Sequence, residues 1–271
     1  MMLNRSILLS LVAVACGLNW GTATVMADSH ECGVKGLAPL DIGGLDQAGG
    51  TIKGVVKFEG QMKTPKPERR VKADPVCAHA HADEPLLKET YVWGKDSTLQ
   101  NVFVYVSKGV DSKKFDLSSK KAILDQRGCA YVPHVSGVVT GQELEIRNSD
   151  KTTHNIKLDS KKNGKENNTM PSGSKPLTKV FKKAEAPITY KCDVHPWMAA
   201  YVHVMDHPFF AVTQANGTFE IRGLPAGDYE VSVWHELKAF QADNETLKVS
   251  VTEGEAAKIA FTFAPKKKKK S

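Results

Sequence analysis

From Thr51 onward the chain is cut into short runs that alternate apolar and polar residues, each closed by Gly, Asn, Asp or Pro. That pattern restricts the fold more than any other feature. A period of two sends alternate side chains to opposite faces of a strand, whereas a helix needs apolar residues at every third or fourth position. The runs Thr51–Phe58, Asn101–Val106, Glu143–Ile146, Asn155–Leu158, Ile188–Cys192, Ala200–Val204, Thr218–Ile221, Tyr229–Trp234, Leu247–Val251 and Lys258–Phe263 are rich in β-branched or aromatic residues and are predicted as strands. No segment sustains a helical apolar stripe. The fold class is all-β, and strands this short and numerous bury their apolar faces as β-sandwiches.

The 271 residues allow two domains of ordinary size. Residues 1–27 read as a secretory signal peptide, with Arg5 as the positive start, Ile7 to Ala15 as the apolar stretch and Val25-Met26-Ala27 as the small-residue cleavage site. The apolar stretch is too short for a lasting membrane span, which takes about 20 residues. A periplasmic or extracellular location follows. The same segment has an alternative use, a lipid anchor on Cys16 after Ala13-Val14-Ala15. Residues 28–50 are Gly-rich, lack periodicity and read as a linker. The formal net charge of +7 is no sign of nucleic-acid binding, because the run Lys266–Lys270 and Arg5 supply nearly all of it. Residues 265–271 form a Lys-rich tail, expected to be solvated, with weak electrostatic contact of Lys266–Lys270 with an anionic surface as the alternative.

An exported chain can form disulfides. Five cysteines occur: Cys16, Cys32, Cys77, Cys129 and Cys192. Cys16 leaves with the signal unless it is acylated, and Cys192 sits in a motif that needs a free thiolate. Of the odd number remaining, Cys77 and Cys129 are the expected pair. No CxxCH occurs, so covalent haem is not supported.

The motif is Cys192-Asp193-Val194-His195-Pro196-Trp197-Met198. It lies between two predicted strands, so a short loop carries three soft or borderline ligands toward one point. A His₂Cys set with a weak axial Met suits copper cycling between two oxidation states. Taken singly, a His on a strand is more often packed than ligating, and a free Cys in an exported chain is more often half of a disulfide. The three at this spacing are a different matter.

Residues from about Ala122 to Met205 resemble a cupredoxin of the plastocyanin and amicyanin type. The resemblance is carried by Tyr131-Val132-Pro133-His134, Gly141-Gln142, Leu144-Glu145-Ile146-Arg147-Asn148, His154-Asn155-Ile156 and Tyr190-Lys191-Cys192 through Met198. It implies a Greek-key β-sandwich and a mononuclear centre ligated by His154, Cys192, His195 and Met198. His154 lies 38 residues before Cys192, similar to short-loop members of the family. The resemblance also implies that Asn155 ties the ligand loops together and that its amide donates to the Cys192 sulfur. Residues 215–233, Ala-Asn-Gly-Thr-Phe-Glu-Ile-Arg-Gly-Leu-Pro-Ala-Gly-Asp-Tyr-Glu-Val-Ser-Val, resemble the carboxypeptidase regulatory-like, transthyretin-type sandwich, and the runs after Gly54 and Asn101 match its first strands. The expected order is residues 51–117 and 206–264 as two parts of a regulatory-like sandwich, with a cupredoxin-like domain at 118–205 inserted in it or beside it. The polar stretch Asp159–Lys175 is expected as a loop.

Cys77-Ala78-His79-Ala80-His81 offers a second metal site, since His-x-His on an extended segment points both rings one way; a plain surface loop with Cys77 in a disulfide is the alternative. One His-x-His pair is too few for a multicopper oxidase. His134, His203, His207 and His235 have no spacing partner and are expected to be structural. No nucleophile elbow, phosphate loop or catalytic carboxylate pair is present. The sequence therefore predicts an exported blue-copper electron carrier with one copper per chain and an unnamed redox protein as partner, not an enzyme. His195, beside Pro196 and Trp197, is the expected electron exit. Copper storage or delivery, and a structural or surface-adhesive module, are the competing uses.

Overall fold

The computed structural model describes residues 49–111 and 120–266. The expected signal sequence, nearly all of the linker, Cys16, Cys32 and Lys267–Lys270 lie outside the described residues. The described residues form four sheets. In one, Thr218–Leu224, Gly50–Phe58, Ala256–Pro265 and Phe240–Ala242 lie side by side in that order; in the next, Phe210–Val212, Phe103–Lys108, Gly227–Trp234 and Thr246–Val251 do so. Their facing apolar side chains, among them Ile52, Val56, Phe219 and Phe261 against Val104, Val106 and Val231, make one core. We call this pair the flanking sandwich.

The other two sheets are built wholly from residues 122–205. Val135–Val139, Ala199–Met205, Glu185–Lys191, His154–Asp159 and Lys165–Met170 make the five-stranded sheet, and Ala130–Val132, Ala122–Arg127, Glu143–Asn148 and Leu177–Val180 the four-stranded one. Leu124, Tyr131, Leu144 and Ile146 meet Ile156, Leu158, Ile188, Tyr190 and Val202 between them. This inserted sandwich leaves the flanking one at Lys108 and rejoins it at Phe210. The departing and returning strands are themselves antiparallel neighbours, Tyr105 opposite Phe210 and Phe103 opposite Val212. An insertion whose ends sit on adjacent strands leaves the parent sheet unbroken.

A third apolar cluster joins the two sandwiches, with Phe103 and Phe210 on one side and Val135 and Val139 on the other. Strand Val135–Val139 is buried on both faces, one toward its own core and one toward the flanking sandwich. The approach is close: a Cβ on Gly137 would lie 2.3 Å from the Phe210 ring, so only glycine fits there.

Two expectations about local structure change. The stretch Asp159–Lys175 contains the strand Lys165–Met170, paired with His154–Asp159 so that Lys157 faces Asn167. It is an edge strand with most of its side chains in solvent, so it shows no apolar alternation. Residues 75–80 form a short helix rather than an extended segment, started by Pro75 and capped by the Asp74 carboxylate, which accepts from the amides of Val76 at 2.8 Å and Cys77 at 3.1 Å.

Candidate metal centre

Strand pairing delivers the ligand candidates to one end of the five-stranded sheet. Lys191 pairs with Lys157 and Tyr190 with Leu158, so the start of one strand, His154, lies beside the end of the other, Cys192. The loop from Cys192 to Met198 is closed by its own backbone: Met198 N–H donates to His195 O at 2.9 Å and Cys192 N–H to Met198 O at 3.4 Å. Inside it, the His195 amide donates to the Cys192 sulfur at 3.3 Å.

His154, Cys192 and His195 are all buried, and their ligand atoms lie within 4.8 Å of one another. Nδ1 of His154 is 2.8 Å from Nδ1 of His195, and the Cys192 sulfur is 3.9 Å from the latter. Met198 is buried in the same apolar cluster as Cys192. Both imidazoles are engaged on their far side. Nε2 of His154 donates to Asp150 Oδ2 at 2.8 Å, and Nε2 of His195 to Asp74 Oδ2 at 3.1 Å. A carboxylate can only accept here, so each ring carries a proton on Nε2 and turns its Nδ1 inward.

The protonation states follow. Burial opposes a charge on His154, but Asp150 and the Cys192 thiolate outweigh it and raise its pKa to about 9. Burial pushes the Cys192 thiol up, yet the hydrogen bond from His154 and the amides of Asn155, His195 and Val194 win, and the net direction is down. His195 is driven down, by burial first and then by the neighbouring His154 charge, against the pull of Asp74. Without a metal, one proton on His154 bridges the two Nδ1 atoms. Two inward Nδ1 atoms and a thiolate around a shared proton suit a borderline-to-soft cation that displaces it.

Asn155 stands between the two ligand segments. Its amide donates to the Cys192 sulfur at 3.5 Å, and its side-chain oxygen accepts from the amides of Asp193 at 2.6 Å and Val194 at 3.2 Å. Its side-chain nitrogen donates to Asn167 Oδ1 at 2.6 Å.

The surroundings correct two expectations. His195 is only 2% exposed, so its ring edge is no electron exit. The segment between the first two strands of the flanking sandwich folds over it, bringing Asp74 and Cys77 onto Nε2, with the Cys77 sulfur 3.8 Å away. Nor do Cys77, His79 and His81 form a second metal site. Cys77 is joined to Cys129 in a disulfide, His79 lies exposed in the short helix, and His81 bonds the carbonyls of Gly128 at 2.7 Å and Glu84 at 3.1 Å. Helical backbone at 75–80 destroys the common direction that His-x-His has in an extended chain.

Asp74 and Asp150 carried no signal as site residues in the sequence. Asp150 also accepts from the amides of Gly128 at 2.7 Å and Cys129 at 2.8 Å, the two turn residues with positive φ between strands Ala122–Arg127 and Ala130–Val132. The contacts therefore close a ring: His154 to Asp150, to Cys129, through the disulfide to Cys77 and Asp74, to His195, and back to His154. Trp197 braces it, its Nε1–H donating to Cys129 O at 3.0 Å and its ring centroid 4.9 Å from that of His195. His134, expected to be structural, ties the loop exit to the flanking sandwich through Ala199 O at 3.1 Å and Glu236 at 2.6 Å.

No protein-family model matches the chain, for either sandwich, and no curated protein does. Among solved structures it is similar to a purple cupredoxin from Nitrosopumilus maritimus, 21% identical over 31% of this chain and 98% of that one, TM-score 0.27. It is also similar to a methionine-to-alanine mutant of amicyanin in the Cu(I) state, 17% identical over 37% of this chain and 97% of that one, TM-score 0.28. A copper-containing nitrite reductase from Thermus scotoductus SA-01 matches at 20% identity over 38% of this chain and 25% of that one, TM-score 0.29. A likeness this remote does not decide what the site binds.

Proposed function

We propose that the chain binds one copper ion through His154, Cys192, His195 and Met198 and passes single electrons to a redox protein outside the cytoplasm. One observation supports this above the rest: two imidazole Nδ1 atoms and a thiolate converge in a buried pocket, each imidazole fixed by a carboxylate on its far nitrogen. Bound copper supplies one-electron chemistry between Cu(I) and Cu(II). The protein's part is to hold the donors still. Cys192 is anchored by backbone amides, His154 and His195 by Asp150 and Asp74, and the loop by its own backbone, so the donors need not move when the charge changes. With His195 covered, half-buried Trp197, whose ring centroid lies 4.9 Å from that of His195, offers an aromatic path from the centre outward.

The test is optical. Recombinant protein given Cu(II) should develop an intense visible thiolate-to-copper band and hold one copper per chain, and Cys192→Ser should lose the band. A colourless wild type sinks the reading. Storage or delivery predicts more than one copper per chain, which metal analysis distinguishes, and the loss of Cys77 to a disulfide leaves that reading fewer ligands.

A further inference from the structure

We propose that Asp74 is a positioning residue for the centre: a carboxylate from the flanking sandwich holds His195 in the Nε2–H tautomer, aims its Nδ1 at Cys192 and His154, and increases the electron density of that ring. The inference rests on the copper reading above and adds to it a residue outside the inserted sandwich.

The carboxylate is itself fixed from every side. Oδ1 accepts the helix amides of Val76 and Cys77, while Oδ2 accepts Thr152 Oγ1 at 3.0 Å and His195 Nε2 at 3.1 Å. Those donors come from three separate pieces of chain: the helix Pro75–Ala80, the loop before His154 and the ligand loop. The disulfide at Cys77 pins the helix to the turn at Cys129. A carboxylate with four donors has no freedom to turn away, so from the outer side it fixes the His195 proton on Nε2, while the His154 proton meets Nδ1 from the inner side. A ligating imidazole hydrogen-bonded to a carboxylate is a stronger base, and it favours the more highly charged metal state. Asp74 should therefore stabilise Cu(II) over Cu(I).

Asp74→Asn and Asp74→Ser are the variants to make. Both keep a side-chain oxygen to cap the helix, so the segment stays in place. Asn turns an amide nitrogen toward Nε2, which rewards the opposite tautomer; Ser is too short to reach the ring. In metal-free protein, nitrogen NMR of the His195 ring should show an unprotonated Nδ1 that accepts from His154 in the wild type and a several-fold gain of Nδ1–H in Asp74→Asn. In copper-loaded protein, both variants should keep the visible band while the ratio of Cu(II) to Cu(I) affinity falls about tenfold, which for one electron is a potential about 59 mV higher. Unchanged ring shifts in Asp74→Asn overturn the proposal, and so does an affinity ratio that stays within about twofold in both variants. A wild type that takes up no copper would end the electron-transfer reading, and the NMR of metal-free protein would still decide the role of Asp74.

Discussion

His154 and His195 are held alike and built differently. Each donates Nε2–H to a carboxylate and turns Nδ1 inward, but His154 finds its partner four residues before it, whereas the partner of His195 lies 121 residues away. The first arrangement forms with the loop that precedes one strand. The second exists only when both sandwiches have folded and the segment between the flanking strands has closed over the ligand loop. A centre of this kind has a local half and a remote half, and perturbations should separate them.

The largest separation should come from the disulfide. Cys77 and Cys129 are 52 residues apart, and a loop of that length implies about 4 kcal/mol of stabilisation from the restricted unfolded chain. The double variant Cys77→Ser, Cys129→Ser should lose roughly that much in urea unfolding, and NMR should show His195 disturbed more than His154. Equal disturbance of both rings would mean the two halves are one.

On the local side the largest effect belongs to Asp150. It serves His154 and the amides of Gly128 and Cys129 together, and Cys129 holds a positive φ of 55° that a non-glycine residue tolerates only with support. Asp150→Ala strands a buried imidazole and two turn amides and should cost about 3 kcal/mol. Asp150→Asn, which can still accept at the turn, should cost less. If the two variants unfold at the same denaturant concentration, the turn is not what Asp150 supports.

His203 offers a third, contrasting histidine: buried, stacked on Phe103 at a centroid distance of 3.8 Å, edge-on to Trp234 at 4.6 Å, and without a carboxylate. Burial lowers its pKa to about 3. The unfolded chain, with a value near 6.5, takes up the proton first. The stability it contributes is therefore complete above about pH 6.5 and is lost as pH falls toward 3, amounting to about 2 kcal/mol by pH 5. His154 in the metal-free protein runs the other way. With its folded value raised to about 9, its contribution is complete below about pH 6.5 and is lost as pH climbs toward 9. Unfolding measured across pH should show both limbs; His203→Phe should make the acid one shallower, with buried His235, whose pKa is lowered to about 4, supplying much of what remains, and leave the alkaline one standing. An acid limb as steep in that variant as in the wild type would remove His203 as a contributor.

The same division explains what the sequence disclosed. The ligand loop was legible because Cys192, His195 and Met198 lie within one turn of chain, where spacing translates directly into geometry. Most of the strands were legible because one face of each is wet, which writes a period of two. Val135–Val139 was not, because both its faces are buried, and neither was Lys165–Met170, which shows solvent nearly everything it has. Asp74 was invisible for a stronger reason. Nothing in Asp74-Pro75 distinguishes a helix cap from a partner of a buried histidine 121 residues away; here one carboxylate is both, and only the folded chain brings the second duty to it.

The smallest effect expected on the local half concerns Asn155. Its side chain holds the first amides after Cys192 and reaches across to Asn167, so it ties the strand of His154 to the ligand loop. Asp193 and Val194 are exposed, and water can replace the lost acceptor once the side chain is cut back. Asn155→Ala should therefore cost only about 1 kcal/mol in urea unfolding, well below Asp150→Ala. Its backbone amide still donates to the Cys192 sulfur, so the visible band of the copper-loaded protein should survive with little change. Loss of the band would show that the position of the sulfur depends on the side chain of Asn155, and the local half of the centre would then hang on a residue that ligates nothing.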